Sequence, residues 1–373
     1  MTSYRKTIFE AIEVVAPRLN EVPLLVDDWT LAFRLGATGK ALWYITKYRH
    51  KLYEEFHIPK KTGGMRRIFN PTGMLRVFQQ QLRSQLLLPL CASLGPHVAA
   101  YQIGRSTVDA ARQHLWDCVI CEATTRSGTL TTRHTCPRQG VKFKLDLKDF
   151  FLSTRRSAVR AYFHETVGYN HYVSSLLGQL LTTDYLDTRD NRWHAGVPPG
   201  AITAGDTCNL VCDVTLDKAI LHALPGWRYT RYADDLYFSH SERLPASQVT
   251  QAVHAVATCI TRAGYRPNWK KYTIQRCDAR QHLLGITINR KINIPAHEYR
   301  RMHMILYKAG THGFAAQLSY ARKSDLGELH RWIAGTLNYY ARLNPVKTDK
   351  LQRLYTRALG KEKENTPCTT PTV

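Results

Sequence analysis

Apolar residues recur at helical spacing near the start of the chain. Ile8, Ile12 and Val15 alternate there with Glu10, Glu13 and Arg18, and the pattern predicts helix over residues 4–50. From Phe56 to Pro71 the pattern shortens, and Gly63-Gly64 between apolar ends predicts a β-hairpin with basic residues around its tip. Leu75 to Leu94 reads as one long apolar helix. Val141 to Leu147 alternates apolar and polar positions, as a strand with one buried face does. A second strand pair brackets a tight turn inside Arg228–Ser239. Val249–Ala263 predicts a helix and Leu283–Ile288 a further strand. Beyond Pro295 the pattern is helical and rich in Arg, Lys and Tyr, and Lys361–Val373 reads as a disordered tail.

Composition narrows the function classes. The 373 residues carry 52 Lys+Arg against 29 Asp+Glu, a formal net charge of +23. At 44% hydrophobic residues this is no disordered basic tail, so the charge belongs to a folded protein and favours a polyanionic partner. The uncharged stretch Ser84–Gly104 is interrupted by Pro89, Gly95, Pro96 and His97, too short an apolar span for a bilayer, so no membrane association is expected. The amphipathic N-terminus is no signal peptide. Nine cysteines, an odd number, point to a reducing compartment and a cytoplasmic protein.

The candidate chemistry lies in carboxylates. Asp146 ends an apolar strand and is followed by Asp149, Phe150 and Phe151, while Asp234 and Asp235 sit together at the turn of an apolar hairpin. Paired carboxylates in an apolar frame are costly unless they meet cations. Taken alone, each feature also fits an ordinary turn.

Taken in order, they resemble the palm of a reverse transcriptase. Tyr232-Ala233-Asp234-Asp235 follows the strand Asp, and four further blocks agree. Arg66 to Pro71 resembles the fingers motif Arg-x-Ile-x-x-Pro. Gly196-Val197-Pro198-Pro199-Gly200-Ala201 through Asn209-Leu210 resembles the motif beneath the templating base. Asn268-Trp269-Lys270-Lys271 matches Asn-x-x-Lys, and Leu283–Ile288 takes the place of the primer-contacting hairpin. The run Tyr229–Ser239, Asn209-Leu210-Val211-Cys212 with Leu216-Asp217, and the basic stretch Gly285–Lys308 are most similar to bacterial retron enzymes. The chain departs from them at Ala110, which stands for an Asn, and at Pro199, which stands for a Gln. A divergent retron enzyme and another defence-associated reverse transcriptase therefore both fit.

The resemblance implies an α+β right-hand polymerase fold. Residues 1–55 would form a helical N-terminal region, 56–140 the fingers with an insert at 118–140, 141–290 a palm of antiparallel sheet plus helices, and 291–360 a helical thumb that binds RNA. It implies two Mg²⁺ ions held by Asp146, Asp234, Asp235 and the Leu147 carbonyl, since in-line transfer at phosphorus uses paired hard cations on oxygen ligands. Arg66 with Lys60 or Lys61 would meet the triphosphate. Pro199 and Gly200 would line the nucleotide site, and Phe151 would abut the sugar and reject a 2′-hydroxyl. Phe150 and Phe151 share a strand in this reading, so only one of them need face the site. Lys271 would protonate pyrophosphate, though a surface lysine fits as well, and Tyr232, Leu284, Gly285, Arg300 and Arg301 would contact nucleic acid. The implied activity copies a structured noncoding RNA, from a primer on that RNA, into branched single-stranded DNA for anti-phage defence, with deoxynucleotides as substrate and an effector protein as partner. Nontemplated or protein-primed synthesis and an RNA-binding scaffold are the alternatives.

Within the insert, Cys118 and Cys121 with His134 and Cys136 are compatible with a tetrahedral zinc site, and equally with a basic surface insertion that touches RNA. The remaining positive charge falls on Lys60–Arg67, Arg126–Arg138 and Arg300–Arg357. Contacts of that kind release counterions from phosphate. The expected result is an RNA affinity that falls steeply between low and physiological salt in a filter-binding titration; a flat dependence would contradict the assignment.

Overall fold

A computed structural model describes residues 24–60, 63–116, 140–187, 190–289 and 291–365. The candidate zinc residues Cys118, Cys121, His134 and Cys136, together with Lys61 and the first 23 residues, lie outside the described residues. Among the described residues no helix is long and apolar enough to cross a membrane.

The chain divides into two compact units, the described parts of 1–106, 143–238 and 244–273, and of 107–142, 239–243 and 274–373. In the first, the expected N-terminal helix is two helices, Asp28–Arg34 and Gly39–Tyr48. Asp27 caps the first, its carboxylate accepting from Thr30 N at 2.7 Å, and Thr38 caps the second. The hairpin forms as expected from strands β1 (Tyr53–Pro59) and β2 (Met65–Pro71). Gly63 and Gly64 both take left-handed φ at its tip, where Lys60 N donates to Gly64 O. The apolar stretch beginning at Leu75 is not one regular helix. It runs as Gly73–Leu82, a π-helical turn Arg83–Leu87 and Leu88–Ala92, with Pro89 at the start of the last piece.

Strand β3 (Val141–Asp146) was expected to bury one face and buries both, Lys142 included. Both faces are covered by the chain, so alternation of residue type did not translate into alternation of exposure. The short hairpin β4 (Thr183–Asp187) and β5 (Arg192–Gly196) precedes the buried helix Ala204–Cys212. Strands β6 (Arg228–Tyr232) and β7 (Asp235–His240) form the second expected hairpin, and the order in the sheet is β6, β7, β3. Phe143 of β3 stacks on Phe238 of β7 with ring centroids 4.5 Å apart, at the centre of this core.

Beneath β6 lies an ion pair with no exposure on either side chain, Arg231 with Asp217. Arg231 Nε donates to Asp217 Oδ1 at 2.9 Å and Nη2 to Oδ2 at 2.7 Å, while Nη1 reaches Asn209 Oδ1 at 2.7 Å. Tyr229 Oη donates to the same carboxylate at 2.7 Å. The bidentate geometry satisfies donors and acceptors that water would otherwise serve.

The second unit contains residues 274–276 of strand β8 (Thr273–Arg276), and in it Leu283–Ile288 is not a single strand. Two-residue strands β9 (His282–Leu283) and β10 (Ile286–Thr287) flank Leu284 and Gly285, both left-handed, as a tight two-residue turn requires. Helices Ala296–His312, Leu326–Leu343 and Pro345–Asn365 follow, so residues 361–365 of the expected tail are helical. Asp325 caps the middle helix through Glu328 N, and Tyr340 Oη donates to Glu298 across the bundle.

Replacing Asp217 by Ala leaves the Arg231 guanidinium buried without its counter-charge. Urea unfolding is expected to show a loss of about 3–5 kcal/mol.

Candidate active site

The site is assembled in the first unit where β3 ends beside the β6–β7 turn. Period-two alternation puts Lys144 and Asp146 of β3 on one face. The turn needs a left-handed residue, and Ala233 supplies it with φ +57°. Leu147 N donates to Asp234 O at 2.8 Å and fastens the end of β3 to that turn. Asp146, Asp234 and Asp235 then each offer a carboxylate oxygen, and these three atoms lie within 4.8 Å of one another. Asp146 is 1% exposed, while the other two are half-buried.

Lysines counter this charge. Lys271 Nζ reaches Asp146 Oδ2 at 2.7 Å, and Asn268 Nδ2 donates to Oδ1 at 2.9 Å. Asn268 N also donates to the main-chain oxygen of Asp146, so the Asn-x-x-Lys block folds directly over the strand end. Lys144 Nζ lies 2.7 Å from Asp235 Oδ1, and Tyr237 Oη donates to Oδ2 at 3.1 Å. Sequence reasoning missed Lys144, although its place two residues before Asp146 was the available signal.

Phe150 and Phe151 lie on the short helix Phe150–Ser153, not on a strand. The helix sends Phe150 into the core against Tyr265 and leaves Phe151 half-buried. Thr154, just beyond it, pairs with Tyr265 Oη at 2.8 Å. Val197 N donates to Thr154 O, and Phe69 N of β2 donates to Pro199 O at 2.8 Å. Gly200, at φ +104°, lies so close to β2 that a Cβ there would meet Ile68 at 2.7 Å. Residues 196–200 thus strap the Phe151 helix to the hairpin that carries Lys60 and Arg66, both exposed. Tyr232 is half-buried in β6. Leu284, Gly285, Arg300 and Arg301 belong to the second unit, where Arg301 lies over the Trp332 ring.

Tyr101 went unnoticed in the sequence. Three of the six non-glycine residues with left-handed φ among the described residues are Tyr101, Asp149 and Ala233. Ala233 is in the carboxylate turn, Asp149 opens the Phe151 helix, and the Tyr101 ring lies against Phe151, centroids 6.2 Å apart. A bulky side chain in that conformation costs about 1–2 kcal/mol, and such strain clusters at functional sites. Two other His/Asp groups come together among the described residues, but their carboxylates are engaged, Asp217 by Arg231 and Asp190 by His194.

Residues 58–288 match the family described as reverse transcriptase (RNA-dependent DNA polymerase). The chain is 28% identical over 347 residues to the retron Mx65 reverse transcriptase of Myxococcus xanthus, covering 89% of this chain and 72% of that protein. It is 27% identical over 293 residues to the retron Mx162 reverse transcriptase of the same organism, covering 73% of this chain and 55% of that protein. Among solved structures, a telomerase from Candida albicans in complex with a fragment of telomeric RNA aligns at 12% identity and a TM-score of 0.45, over 84% of this chain and 64% of its own.

Burial, then the charges of Asp235 and Asp146, push Asp234 up to about 6. Burial likewise raises Asp235, against the opposing pull of Lys144. Burial alone would lower Lys271, but its bond to Asp146 outweighs this and its pKa is raised. Between the ordinary carboxylate value of 3.8 and about 6, the native chain holds a proton at Asp234 that the unfolded chain lacks. Ionised Asp234 therefore costs stability above about pH 6, and that cost fades as pH falls toward 4. In metal-free buffer, Asp234→Asn is expected to raise the melting temperature by about 2–5 °C at pH 8. The gain should shrink as pH falls through 6; a gain independent of pH would contradict the assignment.

Proposed function

The chain belongs to the reverse transcriptase family, with the right-hand polymerase fold, and we propose that it copies a structured noncoding RNA into single-stranded DNA joined to that RNA as a branch. In this reading residues 56–140 serve as fingers, 141–290 as palm and 291–360 as an RNA-binding thumb. The observation that carries the proposal is the convergence of Asp146, Asp234 and Asp235 within 4.8 Å, with Lys271 and Asn268 folded onto Asp146.

The donor set fits hard divalent cations. Three carboxylates face two ammonium groups, so the pocket keeps a negative excess that cations satisfy, and all donors are oxygens. Asp146, Asp234, Asp235 and the Leu147 carbonyl would hold two Mg²⁺ ions, which when bound neutralise phosphate charge and acidify the attacking hydroxyl. Lys271 holds Asp146 in place and, released from it, stands ready to donate a proton to the leaving pyrophosphate. Arg66 presents a planar fork to phosphate oxygens from the exposed start of β2, with Lys60 at the same tip and Lys61, outside the described residues, as its alternative. The strap at Pro199 and Gly200 fixes that strand relative to Phe151, whose half-buried ring stands where a 2′-hydroxyl would fall.

The positive excess of +23 suits a groove that tracks phosphate backbones. Tyr232, Leu284, Gly285, Arg300 and Arg301 contact template and primer in this reading. The resemblance to retron enzymes implies a role in anti-phage defence beside an effector protein, which belongs to this proposal. Pro199, where a Gln is usual, favours nontemplated or protein-primed synthesis as the second reading.

The test is Mg²⁺-dependent deoxynucleotide incorporation by the full chain with its co-purifying RNA. Asp234→Ala combined with Asp235→Ala is expected to abolish it, as is chelation of the metal. Sequencing the product separates the readings, because a copy of the RNA supports templated synthesis and a sequence unrelated to it supports the second. Equal incorporation by the double variant would overturn both.

A further inference from the structure

Tyr101 is held where an aromatic side chain does not settle by itself. The chain before it runs beside β6, with Arg231 N donating to His97 O at 2.7 Å and Ala99 N to Arg231 O at 2.9 Å. Asn209 Nδ2 then donates to Ala100 O at 2.8 Å inside the core. These bonds fix the main chain up to the residue that takes φ +57°. The ring that results is 47% exposed and lies flat on Gly205, where a Cβ would come within 2.3 Å of its Cγ. It meets the Phe151 ring edge-on at an interplanar angle of 64°. Burial and then the charge of Asp234 raise its hydroxyl's pKa against an opposing pull from Arg66.

Phe151 needs such a neighbour. Two rings meet it, Phe150 at 5.2 Å and Tyr101 at 6.2 Å between centroids. A ring that rejects a hydroxyl by contact does so only while its rotamer is fixed, because a side chain free to swing yields to the intruder. We propose that Tyr101 is the positioning residue that braces Phe151, so that the pair and not Phe151 alone sets discrimination between deoxyribonucleotides and ribonucleotides. The proposal rests on the reading of Phe151 as the wall beside the sugar.

Gly205 belongs to the same device. Only a glycine at the start of the helix Ala204–Cys212 admits the ring this close, which explains a residue that would otherwise weaken that helix. The experiment is single-nucleotide extension of a DNA primer annealed to an RNA template by the full chain, comparing kcat/KM for a deoxynucleotide and its ribonucleotide. Tyr101→Gly suits the left-handed backbone and so should keep the fold. It is expected to lower the deoxy-to-ribo ratio roughly 3- to 10-fold, the range an edge-to-face aromatic contact is worth. Gly205→Ala, whose Cβ displaces the ring, should lower the ratio in the same direction, and Tyr101→Phe should keep it. In a Phe151→Ala background, Tyr101→Gly should change the ratio no further. A ratio unchanged in both Tyr101→Gly and Gly205→Ala, with the wild type extending the primer, overturns the inference alone. A wild type that extends no primer with deoxynucleotides overturns the reading of the site, and the inference with it.

Discussion

The buried pair Arg231–Asp217 is the contact on which the surroundings of the carboxylates depend. It is fully enclosed, so each charge is tolerable only because the other is there. Through Arg231 it fixes β6, and with it the turn that carries Asp234. Through Asn209 it fixes the helix Ala204–Cys212, and the same Asn209 holds the main chain next to Tyr101. Asp217 itself ends a π-helical turn, Asp213–Asp217, that continues from that helix. One guanidinium therefore sets three pieces of backbone, one of which lies more than a hundred residues before the other two in sequence.

The second organising feature is balance of charge at the carboxylates. Asp146 and Asp235 each have a lysine, while Asp234 has none at bonding distance among the described residues and its pKa is raised. The two lysines differ in setting. Lys144 is mostly covered and lies beside the Tyr237 ring, whereas Lys271 is nearly half exposed. Under the proposed function that asymmetry would let Lys271 leave Asp146 for phosphate while Lys144 stays.

How far these features were legible in the sequence follows from their range. The hairpin β1–β2 was legible because Gly63 and Gly64 dictate a turn locally, and the helices after Pro295 because their apolar period repeats over several turns. The carboxylates stood out as charge within apolar runs. Leu283–Ile288 misled because two-residue strands leave no alternation to read, and Leu284 takes its left-handed conformation from the turn, not from its type. The regular helix from Leu75 misled because a π turn changes the hydrogen bonding and not the apolar pattern. Arg231 was illegible for a different reason: nothing near it in sequence distinguishes a buried arginine from a surface one, and its partner is fourteen residues away. The main chain just before Tyr101 is held by bonds that join His97, Ala99 and Ala100 to Arg231 and Asn209, so its conformation exists only in the folded chain.

The strap at residues 196–200 ties the hairpin β1–β2 to the helix that carries Phe151. It joins β2 at Phe69 and the helix end at Thr154, and Gly200 leaves no room for a Cβ against Ile68. A displacement of β2 at Phe69 therefore passes to Pro199, and from Val197 to Thr154 at the end of the Phe151 helix. Under the proposed function, hold on the phosphates and fit around the sugar would be geared together.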